Sequence, residues 1–379
     1  MKTHTLFAFA IFFTSLSYGQ INSFSLENFY EYDPVLEYTV DTIFQSMNDT
    51  TRVAQMIVTS AGELGKPESV VLKLAQQNKI GGVVFLKGTK ENHKRMIDSL
   101  NAISKENQQL PLLFSIDAEP SLFNGRLQGS APMMNTIDIK TLAESDSIAT
   151  LINKQLLDIG FRQNFAPVSD VSPMNEAIKN RSFGNDIDSV IALSKQFIKT
   201  SQEQGIVATA KHFPGHGLVT GDTHKKSVYI DGPLQELVVY PPLIEAGVLS
   251  IMMAHITINN NEQYGTNGLP ASCSRTIVTD LLKNELGFKG LIITDALNIM
   301  KAVTIIENAP LVASKAGNDM LLMPIDETET IDSVLSEMKK DSVYKHQVYQ
   351  SVKKIIRLKV SLGLLKENTV AETEKVSEE

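Results

Sequence analysis

The side chains of this chain whose types and spacing could do chemistry are concentrated in one segment, Lys211-His-Phe-Pro-Gly-His-Gly-Leu-Val-Thr-Gly-Asp-Thr-His224. It follows the apolar run 206–210, so the sequence predicts a strand that ends here and opens into a loop. Glycine and proline allow such a loop to aim its polar side chains. The carboxylate of Asp222 can hold one imidazole nitrogen of His224 and leave the other free for proton transfer. The same histidines could instead be core residues or metal ligands.

The elements that must position this segment form a repeating pattern. Apolar, β-branched runs alternate with stretches of helical spacing, which is typical of a parallel sheet covered by helices. Eight such runs predict an α/β fold, a closed (β/α)8 TIM barrel with a single catalytic domain. A doubly wound open sheet is the alternative. The predicted strands are 56–58, 82–86, 112–116, 164–168, 207–210, 250–254, 290–294 and 319–323, and the clearest helices are 148–159, 187–204, 234–246 and 277–286. After the last strand, the sequence predicts one long helical region from residue 328 to about residue 365.

Polar residues follow most of these predicted strands. A single aspartate after a strand is more often a turn or helix cap than a catalyst. Five strands with the same feature favour a shared site, because barrel enzymes carry their chemistry at the carboxyl ends of the strands. The residues are Asp117 and Glu119 after the third strand, Asp170 after the fourth, Lys211 and His212 after the fifth, His255 after the sixth and Asp295 after the seventh.

Three chemistries are compatible in principle with such a set. A metal hydrolase could use the three histidines and Asp222 as ligands, but no HxH or HExxH spacing is present and Lys211 would repel a cation. A serine hydrolase would need a GxSxG turn, which the sequence lacks. Retaining glycoside hydrolysis needs a carboxylate nucleophile, a proton donor and groups that hydrogen-bond the sugar, and the chain supplies all three. We therefore expect neither a metal nor a cofactor.

Taken together, these segments resemble glycoside hydrolase family 3, specifically its β-N-acetylglucosaminidase branch. The resemblance covers the chain from about residue 51 to residue 324, with the motifs in the family's order. The matching segments are Lys211-His-Phe-Pro-Gly-His-Gly217 with Asp222-Thr-His224, Phe165-Ala-Pro-Val-Ser-Asp-Val171, Asn180-Arg-Ser-Phe-Gly184, Met252-Met-Ala-His-Ile256, Gly287-Phe-Lys-Gly-Leu-Ile-Ile-Thr-Asp-Ala-Leu297 and Ala316-Gly-Asn-Asp-Met320.

The resemblance implies a role for each matching position. Asp295 would be the nucleophile that forms a covalent glycosyl-enzyme, and His224 would be the acid/base, oriented by Asp222. The family commonly has Asp-Gln-Glu-Gly-Gly after the third strand, whereas this chain has Asp117-Ala-Glu-Pro-Ser121, which leaves the sugar contacts of that loop open. The positions expected to bind the sugar are Asp117, Arg126, Arg181, Lys211, His212 and His255.

The composition and the two ends of the chain indicate which partners, which cellular location and which domain limits to expect. The net charge of −8 without a basic run argues against nucleic acid and anionic membranes as partners. The single cysteine, Cys273, allows no intramolecular disulfide. Residues 1–19 read as a cleaved signal peptide whose apolar run is too short to span a bilayer, so we expect a periplasmic or secreted protein without membrane contact after cleavage. Residues 20–365 would form the barrel domain, and 366–379 an acidic, disordered tail.

The function expected from the sequence is a monomeric, retaining exo-β-N-acetylglucosaminidase. Its substrate would be a terminal β-linked N-acetylglucosamine of a peptidoglycan fragment or another glycan. Two alternatives use the same site: β-glucosidase activity, and phosphorolysis, since a histidine acid/base does not repel an anionic attacker. A third alternative, from another class, is a catalytically silent sugar-binding protein.

Overall fold

The computed structural model describes residues 24–171, 175–222 and 228–365. The predicted signal segment 1–19, the predicted tail 366–379 and the predicted acid/base His224 lie outside the described residues. The domain boundaries at residues 20 and 365 therefore stay predictions.

Within the described residues, the central sheet has eight parallel strands, which are numbered along the chain as β1 (Ile57–Ala61), β2 (Gly82–Phe85), β3 (Leu113–Ile116), β4 (Gln163–Asn164), β5 (Val207–Phe213), β6 (Ser250–Met253), β7 (Leu291–Thr294) and β8 (Leu321–Leu322). Each strand from β1 to β6 pairs in parallel with the next one along the chain. The six strands of four or more residues, β1, β2, β3, β5, β6 and β7, are buried at every position, so both faces of the sheet are covered.

The sheet closes on itself through its last strand. On one side β8 pairs with β1, with Ile57 opposite Leu321. On the other side Ile293 of β7 bridges Met320, and the amide of Thr294 donates to the carbonyl oxygen of Met320 (3.1 Å). The closed (β/α)8 barrel is confirmed, and the open doubly wound sheet is not what forms. The carboxyl ends of all eight strands therefore meet at one mouth.

The longer α-helices cover the barrel, and they are numbered along the chain as α1 (Pro34–Ser46), α2 (Asp49–Ala54), α3 (Glu68–Gln76), α4 (Lys90–Glu106), α5 (Leu142–Ile159), α6 (Ile187–Glu203), α7 (Tyr240–Glu245), α8 (Ala309–Ala316), α9 (Glu327–Lys340) and α10 (Ser342–Ser361). Thr276–Glu285 is a π-helix, and Phe123–Arg126 and Lys301–Thr304 are short helical turns. Among the described helices, none is both long enough and apolar enough to cross a bilayer.

The ends of α5 show how local sequence fixes these helices. Thr141 and Glu144 form a capping box, in which the Thr141 hydroxyl accepts from the Glu144 amide (3.2 Å) and the Glu144 carboxylate accepts from the Thr141 amide (2.9 Å). Gly160 ends the helix with φ of 112°, a conformation that favours glycine. The predicted helix 148–159 lies wholly inside these bounds, and the capping box adds the first turns.

The C-terminal region differs from the sequence-based expectation. One continuous helix over 328–365 was predicted, but the chain forms α9 and α10 with a break at Asp341. The Asp341 carboxylate accepts hydrogen bonds from the amides of Val343 (2.9 Å) and Tyr344 (3.0 Å), so it caps the start of α10. The prediction of a single helix was wrong because an N-cap residue inside a helical pattern permits a new start.

The fifth strand also differs from the expectation. The sequence predicted a strand that ends at residue 210 with Lys211 and His212 in the following loop, but β5 continues to Phe213. Lys211 pairs with Met252 and Phe213 with Met253, so His212 is the extra residue of a β-bulge. A bulge re-aims side chains at a barrel rim, and Lys211 and His212 are therefore held by the sheet rather than by a loop.

Candidate active site

Asp295, the predicted nucleophile, lies directly after β7 at the carboxyl end of the barrel. Its amide donates to the carbonyl oxygen of Met253 (3.1 Å), and its Oδ1 accepts from the amide of Ala296 (2.7 Å). Burial raises the pKa of Asp295, but His212, His255, the Ala296 amide and Lys211 together outweigh it, so the pKa lies below its ordinary value. The carboxylate is ionised at neutral pH, as a nucleophile must be.

Five charged side chains form a network in the same mouth. Lys211 Nζ contacts Asp117 and donates to Glu119 Oε1 (2.8 Å). Arg126 Nη2 donates to Asp117 Oδ2 (2.9 Å), and Arg181 donates two hydrogen bonds, of 2.8 and 2.7 Å, to the Glu119 carboxylate. Burial opposes the charge of Asp117, but Lys211 and then Arg126 hold its pKa well below the usual range. Two carboxylates and three cations leave this network with one positive charge in excess.

A second buried carboxylate, Asp170, organises the end of β5. Its Oδ2 is 2.6 Å from Nδ1 of His212, and its Oδ1 accepts from the amides of His212 (3.0 Å) and His216 (2.9 Å). Burial would raise the pKa of Asp170, but the His212 ring lowers it below its ordinary value. Because Nδ1 of His212 is engaged with Asp170, Nε2 is the nitrogen that can reach a ligand.

One cavity of about 680 Å³ opens at this mouth. Its polar wall includes six of the nine predicted site residues: Asp117, Arg126, Arg181, Lys211, His212 and Asp295. The remaining wall is mainly apolar and includes Leu64, Leu86, Phe165, Ile299, Met300 and Met323. A concave site with a few convergent polar groups and an apolar remainder is typical of small-molecule binding. The volume and the mixed lining suit a polar ring together with a further group.

His255 was expected to bind the sugar, but the structure places it behind the site. It is 1% exposed and does not line the cavity. Its Nε2 lies 3.2 Å from the carbonyl oxygen of Ala296 and its Nδ1 lies 2.6 Å from the hydroxyl of Ser272. Burial lowers the pKa of His255. Since a carbonyl oxygen only accepts, Nε2 carries the proton, and the ring supports the backbone next to Asp295 rather than facing a ligand.

The predicted acid/base pair is only partly within the described residues. Asp222 is half-buried and is not part of the cavity wall, and His224 lies outside the described residues. The chain just before Asp222 is held to the loop after β4, because the Asn175 amide group donates to the carbonyl oxygens of Val219 (2.6 Å) and Gly221 (3.4 Å). The roles assigned to Asp222 and His224 stay predictions.

The sequence interpretation assigned no role to four residues that build this site. Glu119 joins Lys211 to Arg181, Asp170 orients His212, His216 lines the cavity and Glu236 binds the loop after β5. Asp170 and Glu119 had been noted only as polar residues after strands. One signal was available for Asp170 and Glu119, because both follow strands whose carboxyl ends meet at the mouth of a barrel.

The loop after β3, which departs from the family pattern, is held by a side chain of the neighbouring strand. The Asn164 side chain accepts from the amide of Ala118 (3.0 Å) and donates to the carbonyl oxygen of the same residue (3.1 Å). Both Asp117 and Glu119 are thereby fixed beside Lys211. Over the described ranges, no cluster of three or more histidine, cysteine or acidic side chains has the geometry to hold a metal ion.

The sequence matches a family model and is similar to proteins of known name. Residues 50–358 match the family model described as glycosyl hydrolase family 3 N terminal domain. The beta-hexosaminidase A of Pseudoalteromonas piscicida is 29% identical over 332 residues, which are 76% of this chain and 55% of that protein. The beta-hexosaminidase of Vibrio cholerae serotype O1 is 30% identical over 266 residues, which are 66% of this chain and 77% of that protein. The chain thus spans about half the length of the first of these relatives.

Solved structures show the same fold. A glycoside hydrolase family 3 beta-N-acetylglucosaminidase from Paenibacillus sp. str. FPU-7 has a TM-score of 0.76 at 25% identity, covering 84% of this chain and 63% of that one. A beta-glucoside phosphorylase has a TM-score of 0.79 at 21% identity, covering 89% of this chain and 63% of that one. The second likeness shows the fold alone.

Proposed function

This chain belongs to glycosyl hydrolase family 3 through the N-terminal domain of that family, and from this premise we propose that it is a retaining exo-β-N-acetylglucosaminidase. The observation that carries the proposal is an ionised Asp295 in one cavity with a cation-rich network. A carboxylate nucleophile with hydrogen-bonding groups around it is the arrangement that retaining glycoside hydrolysis requires. The names of the relatives support the acetamido sugar as substrate.

In the first chemical step an oxygen of Asp295 attacks C1 of the sugar. The bond between C1 and the aglycone oxygen breaks, and the leaving oxygen takes a proton from His224, which Asp222 orients. In the second step His224 removes a proton from water, the water oxygen bonds to C1, and the ester to Asp295 is released. The configuration at C1 is inverted twice and so retained.

The sugar itself would be held at the polar wall of the cavity. Arg126, Arg181 and Lys211 can donate to hydroxyl oxygens, whereas Asp117 can accept from a hydroxyl hydrogen. Because Nδ1 of His212 donates to Asp170, Nε2 of His212 can also accept from a hydroxyl. Since these side chains already hold one another, they need little rearrangement when a sugar binds. The aglycone would lie along the apolar wall. The natural substrate we propose is a peptidoglycan fragment or another glycan with terminal β-linked N-acetylglucosamine, in the periplasm or the medium after export.

The first test compares aryl β-N-acetylglucosaminide with aryl β-glucoside, using purified protein. We expect a clear preference for the acetamido sugar, with the β-anomer as the first-formed product by NMR. Asp295→Ala should lower kcat/KM by about 1,000-fold or more, and His224→Ala by about 100- to 10,000-fold on a poor leaving group. Asp280→Ala and His346→Ala are the matched controls, because both side chains are exposed on helices.

The outcomes separate the proposals. Activity that survives Asp295→Ala would contradict the assigned nucleophile, and a preference for glucose would make the protein a β-glucosidase. No turnover of either glycoside, together with measurable binding of N-acetylglucosamine, would favour a sugar-binding protein.

Phosphorolysis is a second candidate, favoured by the excess positive charge of the network around Lys211. A phosphate oxygen would then attack C1 in the second step in place of water. Reaction in phosphate buffer, with products separated by NMR, decides between free sugar and sugar 1-phosphate.

A further inference from the structure

Glu236 is a buried carboxylate, 4% exposed, to which the mechanism assigns no role. It lies in the 3-10 turn Gln235–Val239 that precedes α7. Its Oε1 accepts from the amides of Val171 (2.6 Å) and Gly217 (3.1 Å), and its Oε2 accepts from the amide of Leu218 (2.9 Å). One side chain therefore joins the loop after β4 to the loop after β5.

The hold on the second loop is continuous along the backbone. The amide of His216 donates to Asp170, and the next two amides, of Gly217 and Leu218, donate to Glu236. Three successive amides thus end on two buried carboxylates. A buried amide that lost such an acceptor would be left without a hydrogen-bond partner, which costs free energy.

Close approach at this point also requires two glycines. A Cβ on Gly215 would lie 2.4 Å from Cβ of Glu236, and a Cβ on Gly217 would lie 1.5 Å from the carbonyl oxygen of Val171. Both distances are far inside van der Waals contact, so any other residue would separate the loops. Glycine at positions 215 and 217 therefore allows the backbone of this loop to lie close enough to bind Glu236.

We propose that Glu236 is a positioning residue for catalysis: it fixes the course of the loop after β5, through Gly217 and Leu218, so that the chain reaches Asp222 in the orientation that proton transfer needs. The catalytic part of this inference rests on the proposed function, in which Asp222 orients the acid/base. The structural part, the hold on the loop, stands on its own.

The energetics agree with a functional constraint. Burial, and then the charge of Asp170, raise the pKa of Glu236 to about 8, while the amides of Leu218, Val171 and Gly217 oppose that rise. Keeping a carboxylate in such a place costs free energy, and a side chain that only filled space could be apolar. Buried groups with perturbed pKa values are concentrated at functional sites.

The test compares Glu236→Gln with the matched control Glu245→Gln, an exposed glutamate on α7. Glutamine keeps the shape but places an NH2 group against an amide donor. The readout is kcat/KM on two β-N-acetylglucosaminides, phenyl and 2,4-dinitrophenyl. The unsubstituted phenolate is a poor leaving group that needs a proton from the acid, whereas 2,4-dinitrophenolate leaves without one. We expect Glu236→Gln to lower kcat/KM about tenfold or more for the phenyl glycoside and less than twofold for the dinitrophenyl glycoside. Glu245→Gln should change neither.

A second measurement, hydrogen exchange of residues 215–222, needs no activity. Protection should fall in Glu236→Gln and stay unchanged in the control. Equal losses on both glycosides would overturn the catalytic part, and unchanged protection would overturn the structural part. If the native protein turns over neither glycoside, the proposed function fails while exchange still decides the hold on the loop. Should the glutamine variant not fold, Glu236→Asp, which keeps the charge but withdraws it by one methylene, is measured in the same way.

Discussion

Two lysines are buried at opposite ends of this barrel, and they are treated differently. Lys211, 2% exposed, lies at the carboxyl ends of the strands between Asp117 and Glu119. Lys359, 0% exposed, lies on α10 at the other end, where its Nζ donates to the side-chain oxygen of Gln55 (2.6 Å) and the carbonyl oxygen of Gly81 (2.9 Å). The first lysine meets carboxylates, whereas the second meets neutral oxygens.

Lys211 is thus paired with charged groups, whereas Lys359 is paired only with neutral hydrogen-bond acceptors. Burial lowers the pKa of Lys359 to about 7, because the neutral acceptors do not compensate for the hydration that the charged amine loses. At the mouth, Lys211 is instead paired with the carboxylates of Asp117 and Glu119, within the cavity that also contains Asp295. The N-terminal end of a barrel serves stability and the C-terminal end serves function, and the partners of the two lysines follow that division.

The largest effect should follow from removing the mouth lysine. Lys211→Met removes one of the two charged partners of Asp117 and of Glu119, which keep Arg126 and Arg181 respectively, so we expect the free energy of unfolding to fall by roughly 2–4 kcal/mol. Urea unfolding at pH 7 measures this loss, and kcat/KM for the aryl N-acetylglucosaminide should fall with it. Lys339→Met, on the exposed side of α9, is the control. A loss below about 1 kcal/mol would show that the two arginines already balance the network.

A different signature, a change in pH dependence, is expected at the other end. The pKa of Lys359 is near its ordinary value of 10.5 in the unfolded chain and about 7 in the folded protein. Between these values the unfolded state binds more protons, so the contribution of Lys359 makes stability rise with pH, by at most about 1.4 kcal/mol per unit. That contribution is complete above 10.5 and is lost as the pH falls through 7.

Lys359→Met should remove this slope while leaving kcat/KM unchanged. The measurement is the free energy of unfolding at several pH values from 6 to 10 for the native protein, the variant and the same control, Lys339→Met. Two neutral acceptors lose their donor, so the variant should also be roughly 1–3 kcal/mol less stable near pH 9. Parallel pH profiles for native protein and variant would mean that Lys359 is charged when folded.

The same contrast shows what the sequence could predict. The barrel followed from local patterns, because apolar runs and helical spacing alternate along the chain whatever their partners are. The family followed from motifs that stand in order. The position of Asp295 after β7 also followed, since a strand end is a local feature.

What the sequence could not show depends on pairs that are distant along the chain. Lys211 meets a carboxylate 94 residues away, and Glu236 meets an amide 65 residues away. No spacing rule connects such residues before the strands are placed. The extension of β5 was missed for a related reason, because the bulge at His212 is set by pairing with β6 and not by its own residues.

The smallest expected effect on stability is also the sharpest test of the comparison. Gln55 is 1% exposed and accepts from Lys359, so Gln55→Glu places a carboxylate beside the bottom lysine in nearly the same shape. If the partner's charge and not burial decides the state of a buried lysine, Lys359 becomes charged in the folded protein and the pH slope above 7 disappears. The overall stability near pH 8 should change by about 1 kcal/mol or less, because the cost of burying the new carboxylate offsets the attraction. Gln76→Glu, on the exposed side of α3, is the control, and a slope that persists in Gln55→Glu would show that burial alone sets the behaviour of Lys359.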